Sequence, residues 1–274
     1  MESISNQLID THCHIDFEDF NIDREKILDN ARNVGVTHII NPGIDLNSSE
    51  QIINLSQKIG LLYPAVGIHP NSKPEYVEKV WFSRLKELAK QPKVIAIGEI
   101  GLDYYRKSNS IDYQKYILKL QLALAVEMNL PVIIHNRQAG NDLIEVLSDW
   151  TNRLKYENSL LQSSPGVLHS FSDDELIAKR AIDLGFYIGV TGPITFNNTK
   201  ELKSIISKIS LEHLLLETDA PFLTPHPFRG KRNEPANVIY IARKIAEIQN
   251  LPLERVIKQT TLNAKSVFRL RDRN

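Results

Sequence analysis

Side chains that bind metal ions recur singly at the ends of predicted β-strands in this chain. They are His12 and His14 in DTHCH, Glu99 in IGE, His135 in VIIH, His169 in VLH and Asp219 in ETD. In a barrel of parallel strands all the carboxyl ends meet at one cavity, where such residues converge. Imidazole and carboxylate groups at a cavity are typical of metal-dependent hydrolases. The pattern therefore predicts a catalytic metal centre.

The spacing of His12 and His14 places both imidazoles on one face of a strand, because side chains alternate along it, and turns Cys13 to the other face. Glu99 follows the apolar run VIAIG, where a buried carboxylate needs an ion pair or metal ions to neutralise it. Its two oxygens can bridge ions about 3.5–4 Å apart, as in hydrolases that use two metals. Glu99 is therefore the candidate bridging ligand.

The remaining candidates end later strands. His135 and His169 each close a β-branched or leucine-rich run. An isolated histidine there is usually satisfied by hydrogen bonds, but the repetition of the same position weakens that interpretation. Asp219 ends the eighth candidate strand, and it can ligate a metal or accept the proton of an attacking water. Glu217 shares the face of Asp219 and is a candidate to orient a ligand.

Short β-rich apolar runs alternate with longer amphipathic segments, which is the pattern of βα units in a parallel sheet. The candidate strands are residues 8–14, 38–42, 63–69, 94–98, 132–135, 167–169, 186–190 and 214–218. The candidate helices include residues 49–58, 113–128, 142–150, 174–184, 200–209, 237–249 and 253–268. This alternation favours a closed (β/α)8 TIM barrel of the metal-dependent hydrolase type, although periodicity alone leaves a doubly wound open sheet as the alternative.

Length and composition are consistent with such a barrel. The chain has 274 residues, close to the roughly 250 of a (β/α)8 barrel, and 42% of them are apolar, which is enough for a large core. No repeat or low-complexity tail marks a second domain, and the polar stretch 156–165 is typical of a surface loop. We expect residues 1–274 to form a single domain.

Charge and cysteine content constrain the partners and the compartment. The 33 basic residues offset 33 acidic ones, so a nucleic-acid partner must be held by a local basic patch. The lone cysteine, Cys13, excludes an internal disulfide framework. The first residues lack the pattern of a signal peptide, and no apolar run reaches the roughly 18 residues of a membrane span. We expect a cytoplasmic protein with no membrane association and no obligate protein partner.

A local basic patch is present in PHPFRGKRNEP, after the eighth candidate strand. Arg229, Lys231 and Arg232 lie in a loop of the kind that often binds phosphate in such barrels. Arginine can hold a phosphate through two hydrogen bonds. A charged trio in a loop is commonly solvated surface, but its position favours substrate binding, most strongly for Arg229. Arg137 is a further candidate for the same role.

Seven ordered motifs resemble the TatD family of metal-dependent deoxyribonucleases, within the amidohydrolase-like barrels. They are DTHCHID, GIHP, IGEIGLDYY, VIIHNRQA, VLHSFS, ETDAPFL and RGKRNEP. The resemblance runs from about residue 8 to residue 268 and so covers nearly the whole chain. It implies a (β/α)8 barrel that holds two divalent metal ions (magnesium, manganese or zinc) and hydrolyses DNA phosphodiester bonds, commonly from the 3′ end.

The resemblance also implies roles for individual residues. One metal would be held by His12, His14, Glu99 and Asp219, and the other by Glu99, His135 and His169. His69 in GIHP, otherwise a structural histidine before a proline, is implied to contact the scissile phosphate or the leaving group. Gln138 stands where the family carries Asp, and Asp173 where Gly is usual. Neither departure removes a ligand, but both can alter loop geometry and substrate preference.

The leading hypothesis is a 3′–5′ exodeoxyribonuclease that acts on single-stranded DNA ends. A metal-activated water would attack phosphorus in line, with Asp219 as the base and Glu99 and His69 as the other catalytic residues. Tyr104 and Tyr105 offer a base-stacking face, although aromatic residues after a strand more often pack. Two alternatives stay open: hydrolysis of C–N or ester bonds, as in deacylation of aminoacyl-tRNA, and a metal-containing barrel that binds nucleic acid without turnover.

Overall fold

The computed structural model describes residues 7–74, 77–157 and 159–270. Within these ranges eight strands form one sheet in sequence order, and each neighbouring pair is parallel. The strands are β1 (Leu8–Asp10), β2 (Val36–Pro42), β3 (Leu62–Val66), β4 (Ala96–Asp103), β5 (Val132–Arg137), β6 (Gly166–Leu168), β7 (Tyr187–Val190) and β8 (Leu214–Leu216). The α-helices are α1 (Arg24–Asn33), α2 (Leu46–Lys58), α3 (Glu78–Ala89), α4 (Ile111–Met128), α5 (Gly140–Tyr156), α6 (Glu175–Asp183), α7 (Lys200–Lys208), α8 (Val238–Gln249) and α9 (Leu253–Val267).

Backbone hydrogen bonds between the first and last strands close the sheet. The Thr11 N–H donates to the Leu216 carbonyl at 3.0 Å, and the Asp219 N–H donates to the His12 carbonyl at 2.8 Å. These bonds satisfy groups that an open sheet would leave unpaired at its edges. The predicted (β/α)8 TIM barrel is therefore confirmed, and the doubly wound alternative is wrong.

Two layers of apolar side chains build the core. The inner layer takes one residue from each of seven strands: Ile9, Ile40, Ala65, Ala96, Ile133, Val167 and Leu215. The end of α9 packs against this layer through Val267 and Phe268, and Asn263 donates to the carbonyl of Leu214 at the start of β8. A larger layer lies between the strands and the surrounding helices. Because α9 covers the amino ends of the strands, the carboxyl ends are left to form the site.

Local sequence signals explain where the helices begin. The side chain of Asp45 accepts a hydrogen bond from the Ser48 N–H at 2.7 Å, and Ser48 Oγ accepts one from the Asp45 N–H at 3.0 Å. This reciprocal capping box starts α2, because it satisfies N–H groups that have no partner within the helix. The Ser110 hydroxyl likewise caps α4, which ends at Asn129 with φ 53°.

The first strand is shorter than predicted. It ends at Asp10 rather than at residue 14, and the pairing with β2 shifts register between Leu8 and Ile9. Ile9 belongs to the inner layer, and His12 also faces inward although it lies three residues later. An unbroken strand would turn them to opposite faces. The end of the regular strand therefore turns the HxH pair toward the barrel axis.

The fourth strand is longer than predicted. It continues to Asp103, so Glu99 lies inside β4 rather than after it. The pairing with β5 shifts register between Ile97 and Ile100, and this shift lets Glu99 face inward three residues after the inner-layer residue Ala96. Gly101, at φ 149°, follows in the same strand, where a Cβ atom would lie 1.9 Å from the His135 carbonyl.

Other boundaries move by a few residues. The predicted strands 63–69 and 214–218 extend too far, because β3 ends at Val66 and β8 at Leu216. The helix predicted over residues 142–150 spans Gly140–Tyr156 instead, and so takes in the first residue of the predicted surface loop. Along the described ranges, no helix has the combination of length and apolarity needed to cross a lipid bilayer. The assignment of residues 1–274 to one domain stays a prediction.

Candidate metal centre

A cavity of about 740 Å³ opens at the carboxyl ends of the strands. It is lined by five of the six predicted metal ligands, His14, Glu99, His135, His169 and Asp219, and by His69. His12 lies beneath the cavity wall and is fully buried. Strand ends that are distant in sequence thus bring all the predicted ligands to one place, as the parallel barrel requires.

Four of these side chains direct their polar atoms at a common point. His12 Nε2 lies 3.2 Å from His14 Nε2 and 3.4 Å from Glu99 Oε2. His14 Nε2 lies 3.7 Å from Glu99 Oε2 and 3.7 Å from Asp219 Oδ1. Ligands bound about 2.0–2.2 Å from a tetrahedral zinc ion are themselves roughly 3.3–3.6 Å apart. His12, His14 and Asp219 therefore form a cluster able to hold one ion, and Glu99 Oε2 lies 3.4 and 3.7 Å from the two imidazoles.

The surroundings of the two imidazoles also fit a metal site. Within the described part of the chain, Nδ1 of His12 and Nδ1 of His14 are buried without a hydrogen-bond partner, so the polar neighbours of both rings lie on the Nε2 side. Burial lowers the pKa of His12, which keeps the ring neutral, the form that ligates metals. Burial raises the pKa of Glu99, but the imidazoles of His69 and His12 outweigh it and hold that pKa well below its usual value.

A second group forms at the other oxygen of Glu99. His135 Nδ1 lies 2.8 Å from Glu99 Oε1, and His69 Nε2 lies 3.6 Å from the same atom. These three residues form one of the clusters able to hold an ion. The resemblance implied His169 rather than His69 in this group, and that assignment stays a prediction.

His169 lies on the other side of the site, against Glu217. Its Nδ1 is 2.9 Å from Glu217 Oε2, and its Nε2 is 3.6 Å from Asp219 Oδ1. Burial lowers the pKa of His169, but the charges of Glu217 and Asp219 prevail and raise it to about 9. A Cβ atom on Gly189 would lie 2.3 Å from the Glu217 carboxylate, so glycine makes room for the group that orients His169. The orienting position predicted for Glu217 agrees with this contact.

His69 and His135, the two histidines beside Glu99 Oε1, differ in which ring nitrogen has a hydrogen-bond partner outside the site. The backbone N–H of Asn71 donates to His69 Nδ1 at 3.0 Å, which leaves the proton of the neutral ring on Nε2. Burial lowers the pKa of His69 to about 4, although the charge of Glu99 raises it. The cavity-facing nitrogen of His69 is therefore a hydrogen-bond donor, whereas a ligand needs a free lone pair.

His135 shows the pattern of a ligand, and the reason is a carboxylate that the sequence analysis missed. Asp103 Oδ2 lies 3.3 Å from His135 Nε2 and accepts a hydrogen bond from Asn71 Nδ2 at 2.7 Å. Burial raises the pKa of Asp103, but the hydrogen bonds from His135 and from the Arg106 N–H outweigh it and lower that pKa. An ionised partner on Nε2 holds that N–H, so the neutral ring would offer Nδ1 to a metal. Burial lowers the pKa of His135, but its hydrogen bonds with Asp103 and Glu99 outweigh it and raise that pKa. The available signal was the spacing, because Asp103 lies four residues after Glu99 in the same strand.

Asp219 is held in an uncommon backbone conformation. Its φ is 56°, in the left-handed region that non-glycine residues rarely occupy and that is enriched at functional sites. Before it, Thr218 donates from N at 2.8 Å and from Oγ1 at 2.5 Å to the buried Asp10 carboxylate. Burial raises the pKa of Asp219, while the nearby rings of His169 and His14 lower it by less. Asp10 was also missed, since it lies at the end of β1 before the HxH pair.

The structure separates the predicted substrate-binding residues. Among the described residues, the cavity wall includes Arg137 but not Arg229, Lys231 or Arg232. The Arg137 guanidinium lies 3.8 Å from the centre of the Tyr105 ring. These positions make Arg137 the predicted arginine that lies nearest to the metal ligands.

The basic loop after β8 has contacts of its own. The Arg229 guanidinium lies 4.3 Å from the centre of the Phe196 ring, and Arg232 forms a 2.6 Å ion pair with Asp23. Arg229 and Lys231 are exposed. Their role in substrate binding stays a prediction. Tyr104, a candidate for base stacking for which packing was the more common interpretation, donates its hydroxyl to an aspartate of α5 at 2.7 Å and packs against the core.

A closed (β/α)8 barrel with buried imidazoles and carboxylates at the carboxyl ends of its strands defines a class, that of metal-dependent barrel hydrolases. The sequence model of the family described as TatD related DNase matches residues 9–269. The chain belongs to the TatD family of metal-dependent hydrolases.

Individual relatives match this chain over all or nearly all of their lengths. The uncharacterised metal-dependent hydrolase YabD of Bacillus subtilis is 38% identical over 265 residues, 96% of this chain and 99% of YabD. The 3′-5′ ssDNA/RNA exonuclease TatD of Erwinia amylovora is 32% identical over 269 residues, 96% of this chain and 100% of the relative. The crystal structure of YjjV, a TatD homologue from Escherichia coli K12, superposes with a TM-score of 0.88 at 31% identity and covers 98% of this chain and 100% of YjjV.

Proposed function

We propose that this protein is a metal-dependent exodeoxyribonuclease that removes nucleotides from the 3′ ends of single-stranded DNA. The observation that carries the proposal is the convergence of His12 and His14 on Glu99 and Asp219, with each imidazole 3.4–3.8 Å from both carboxylates, at a cavity whose rim carries arginine. The exonuclease named for the Erwinia relative supports the same substrate class. We further propose, from the sequence, one domain over residues 1–274 and a cytoplasmic location.

Two divalent ions are proposed, and Glu99 would join them. His12, His14, Glu99 and Asp219 would hold one ion; Glu99 and His135 would hold the other, with His169 as the third ligand implied by the family. Bound ions of this kind lower the pKa of water and neutralise charge on a reacting phosphate. Imidazole and carboxylate ligands suit zinc, manganese and magnesium to different degrees, so availability decides among these metals.

The protein's own groups supply the remaining chemistry. The Asp219 carboxylate, whose pKa burial raises, is the proposed base for the proton of the attacking water. The Nε2–H of His69 would donate to the scissile phosphate or to the leaving oxygen, because Asn71 occupies the other ring nitrogen. Arg137 would hold phosphate oxygens at the rim. In-line attack then needs the phosphorus to lie between Asp219 and His69.

The basic loop has a secondary place in this proposal. Arg229 and Lys231 are exposed, and we propose that they contact the strand farther from the cleaved bond. Arg232 binds the side chain of Asp23 and the carbonyl of Asp19, so it would have to leave those partners to hold a phosphate. Arg137 is therefore the main proposed phosphate contact.

A metal-dependence series on single-stranded DNA labelled at the 3′ or the 5′ end tests the proposal. We expect the 3′ label to be released as mononucleotide, the activity to disappear with a chelator, and manganese or magnesium to restore it. Parallel assays on aminoacyl-tRNA and cyclic amides test ester and C–N hydrolysis. Turnover of those substrates but not of DNA would replace the nuclease proposal, and metal binding without turnover of any substrate would support a non-catalytic barrel.

A further inference from the structure

The mouth of the cavity has two unlike walls. Phe17 and Phe222 line it where β8 meets β1, and Arg106 and Arg137 line it after β4 and β5. In a closed barrel with strands in sequence order, the β4 and β5 side faces the seam between β8 and β1. The candidate metal ligands lie between an aromatic wall and a cationic wall. A substrate that crosses the site would contact aromatic rings on one side and arginines on the other.

The aromatic wall is tied to the metal centre by short turns. The Phe17 N–H donates to the His14 carbonyl at 3.2 Å, and the Phe222 N–H donates to the Asp219 carbonyl at 2.8 Å. Each phenylalanine thus lies three residues beyond a candidate ligand. In addition, Asn233 Nδ2 donates to the Phe222 carbonyl at 2.7 Å. These hydrogen bonds fix the backbone of both aromatic residues relative to the site.

The rings of Phe17 and Phe222 both line the cavity and contact each other. The Phe17 ring stacks on the His14 ring, with centroids 4.7 Å apart, and the Phe222 ring meets Phe17 edge-on at 6.1 Å. Phe222 is 52% exposed although its loop is fixed. A single exposed phenylalanine is ordinary on a protein surface. Aromatic side chains along a positively charged groove are the groups on which proteins stack unpaired bases.

The charge of the DNA phosphates indicates which part of the DNA strand faces each wall of the cavity. On one side of the terminal phosphodiester lies the last nucleoside, which carries a base and no further phosphate. On the other side the strand continues with one phosphate per nucleotide, which requires positive charge. Arg106 and Arg137 supply that charge, and the Arg137 guanidinium also stacks on Tyr105 at 3.8 Å.

We propose that Phe17 and Phe222 form a stacking subsite for the base of the terminal nucleotide, while Arg106 and Arg137 hold the continuing strand. This inference rests on the proposed function and deepens it, since it specifies the end group that the site accepts. A base within a duplex is covered by its partner and its neighbours, so the subsite selects unpaired ends. Stacking needs only the π-face of a base, so the subsite tolerates all four bases.

The test uses single-stranded oligonucleotides that end in a normal nucleotide or in an abasic nucleotide at the 3′ position. The metal-loaded wild-type protein should cleave the first faster by roughly 5- to 150-fold, the range expected for one base stacked on an aromatic ring. The Phe222→Ala variant should lose most of this preference. Phe222→Leu, which keeps an apolar side chain without a ring, should behave like Phe222→Ala.

A matched control and a binding measurement complete the test. Tyr156→Ala removes an exposed aromatic side chain at the far end of α5 and should keep the full preference. A terminal 2-aminopurine should lose fluorescence on wild-type protein but not on Phe222→Ala. Quenching that depends on Phe222 supports the subsite even if no DNA is cleaved, so failure of the nuclease proposal stays distinguishable. Equal cleavage of both substrates by wild type, or quenching unchanged in Phe222→Ala, would overturn the subsite.

Discussion

The candidate metal ligands and the basic loop after β8 were predicted from the same sequence, but the structure treats them differently. The candidate ligands come from five separate segments of the chain and lie together at the carboxyl ends of the strands. Arg229, Lys231 and Arg232 are neighbours in sequence, start ten residues after Asp219, and lie outside the cavity wall. Closed-barrel hydrogen bonding fixes the ends of strands in space, whereas a loop of this length is directed by its own contacts. Proximity along the chain to a strand end is therefore weak evidence for a place in the site.

Arg137 and Arg232 show the same difference within one residue type. Arg137 is the last residue of β5, and it lines the cavity because the strand carries it there. Arg232 is bound to Asp23 and lies 4.7 Å from the Phe20 ring, so it joins the β8 loop to the segment before α1. We infer that Arg137 binds substrate and that Arg232 stabilises the fold. The predictions below test this division between strand-end residues and loop residues.

The largest effect is expected for Glu99→Gln. The amide keeps the shape of the side chain but removes the negative charge that faces His12 on one oxygen and His135 on the other. Turnover should fall by more than the roughly 10²–10⁴-fold that follows loss of a single general base. Metal analysis of the folded variant checks the cause. Two ions bound at wild-type affinity would contradict the bridging role.

Asp219→Asn should be the next most severe change. It removes both a proposed ligand charge and the proposed base, so we expect a loss of about 10²–10⁴-fold in turnover. Folding is checked by circular dichroism, and manganese is then titrated while cleavage of a 3′-labelled strand is followed. Saturating manganese should not restore activity. Full rescue at high manganese would leave Asp219 as a ligand only.

Asp103→Asn tests whether the carboxylate behind His135 matters for metal binding. Loss of its charge removes the partner that leaves His135 Nδ1 free, and changes of this kind cost roughly 10–100-fold in metal affinity or activity. Manganese affinity, measured by calorimetry, should fall in this range. Asp142→Asn is the matched control, because Asp142 binds Tyr104 and Lys115 away from the site. Equal effects of the two substitutions would refute the positioning role of Asp103.

Arg137→Ala and Arg229→Ala compare the strand-end arginine with the loop arginine directly. Loss of a charge-assisted hydrogen bond costs about 1.5–3 kcal/mol, so Arg137→Ala should raise the KM for a short oligonucleotide by roughly 10- to 150-fold. Arg229→Ala should change it by much less on the same substrate. Kinetics across a range of salt concentrations measure both. A larger effect at Arg229 would reverse the division between strand end and loop.

The smallest effect is expected for Arg232→Ala, and it should fall on stability. An ion pair at the surface contributes about 1 kcal/mol or less, so the free energy of unfolding should drop by that amount with cleavage unchanged. The hydrogen bond from Arg232 lowers the pKa of Asp23 below 3.8. The stability from this pair is therefore present above pH 3.8 and disappears as the pH falls further. Urea unfolding at pH 7 and pH 3 should show a smaller wild-type advantage at pH 3 than at pH 7.

Much of the fold was predictable, because alternating strand and helix patterns are local properties of the sequence. The ligand positions His135 and His169 followed from the ends of two such strands. Two strand lengths were less predictable: β1 stops before the HxH pair, and β4 runs past Glu99. Both errors lie where the register shifts against a neighbour. A register shift depends on the partner strand, which periodicity within one strand does not report.

Asp103 and Phe222 show what the sequence left undetermined at the site. An aspartate in IGLDYY and a phenylalanine in DAPFL are ordinary residues of turns and packing until the barrel brings them to His135 and Phe17. The same holds for the hydrogen-bond pattern of His69, which depends on a backbone N–H two residues away. Assigning these roles requires distances between atoms, whereas listing candidate residues by type requires only the sequence.

The sequence by itself determined the kinds of groups and the strand ends that carry them, because residue type and period along one element are local. Only the tertiary structure decided which groups share a site. Closure of the ladder between β1 and β8 set His12 beside Asp219, and the fold of the loops took Arg232 to Asp23 and left Arg137 at the cavity. Contacts across the barrel depend on the packing of the whole chain, and no single segment encodes them.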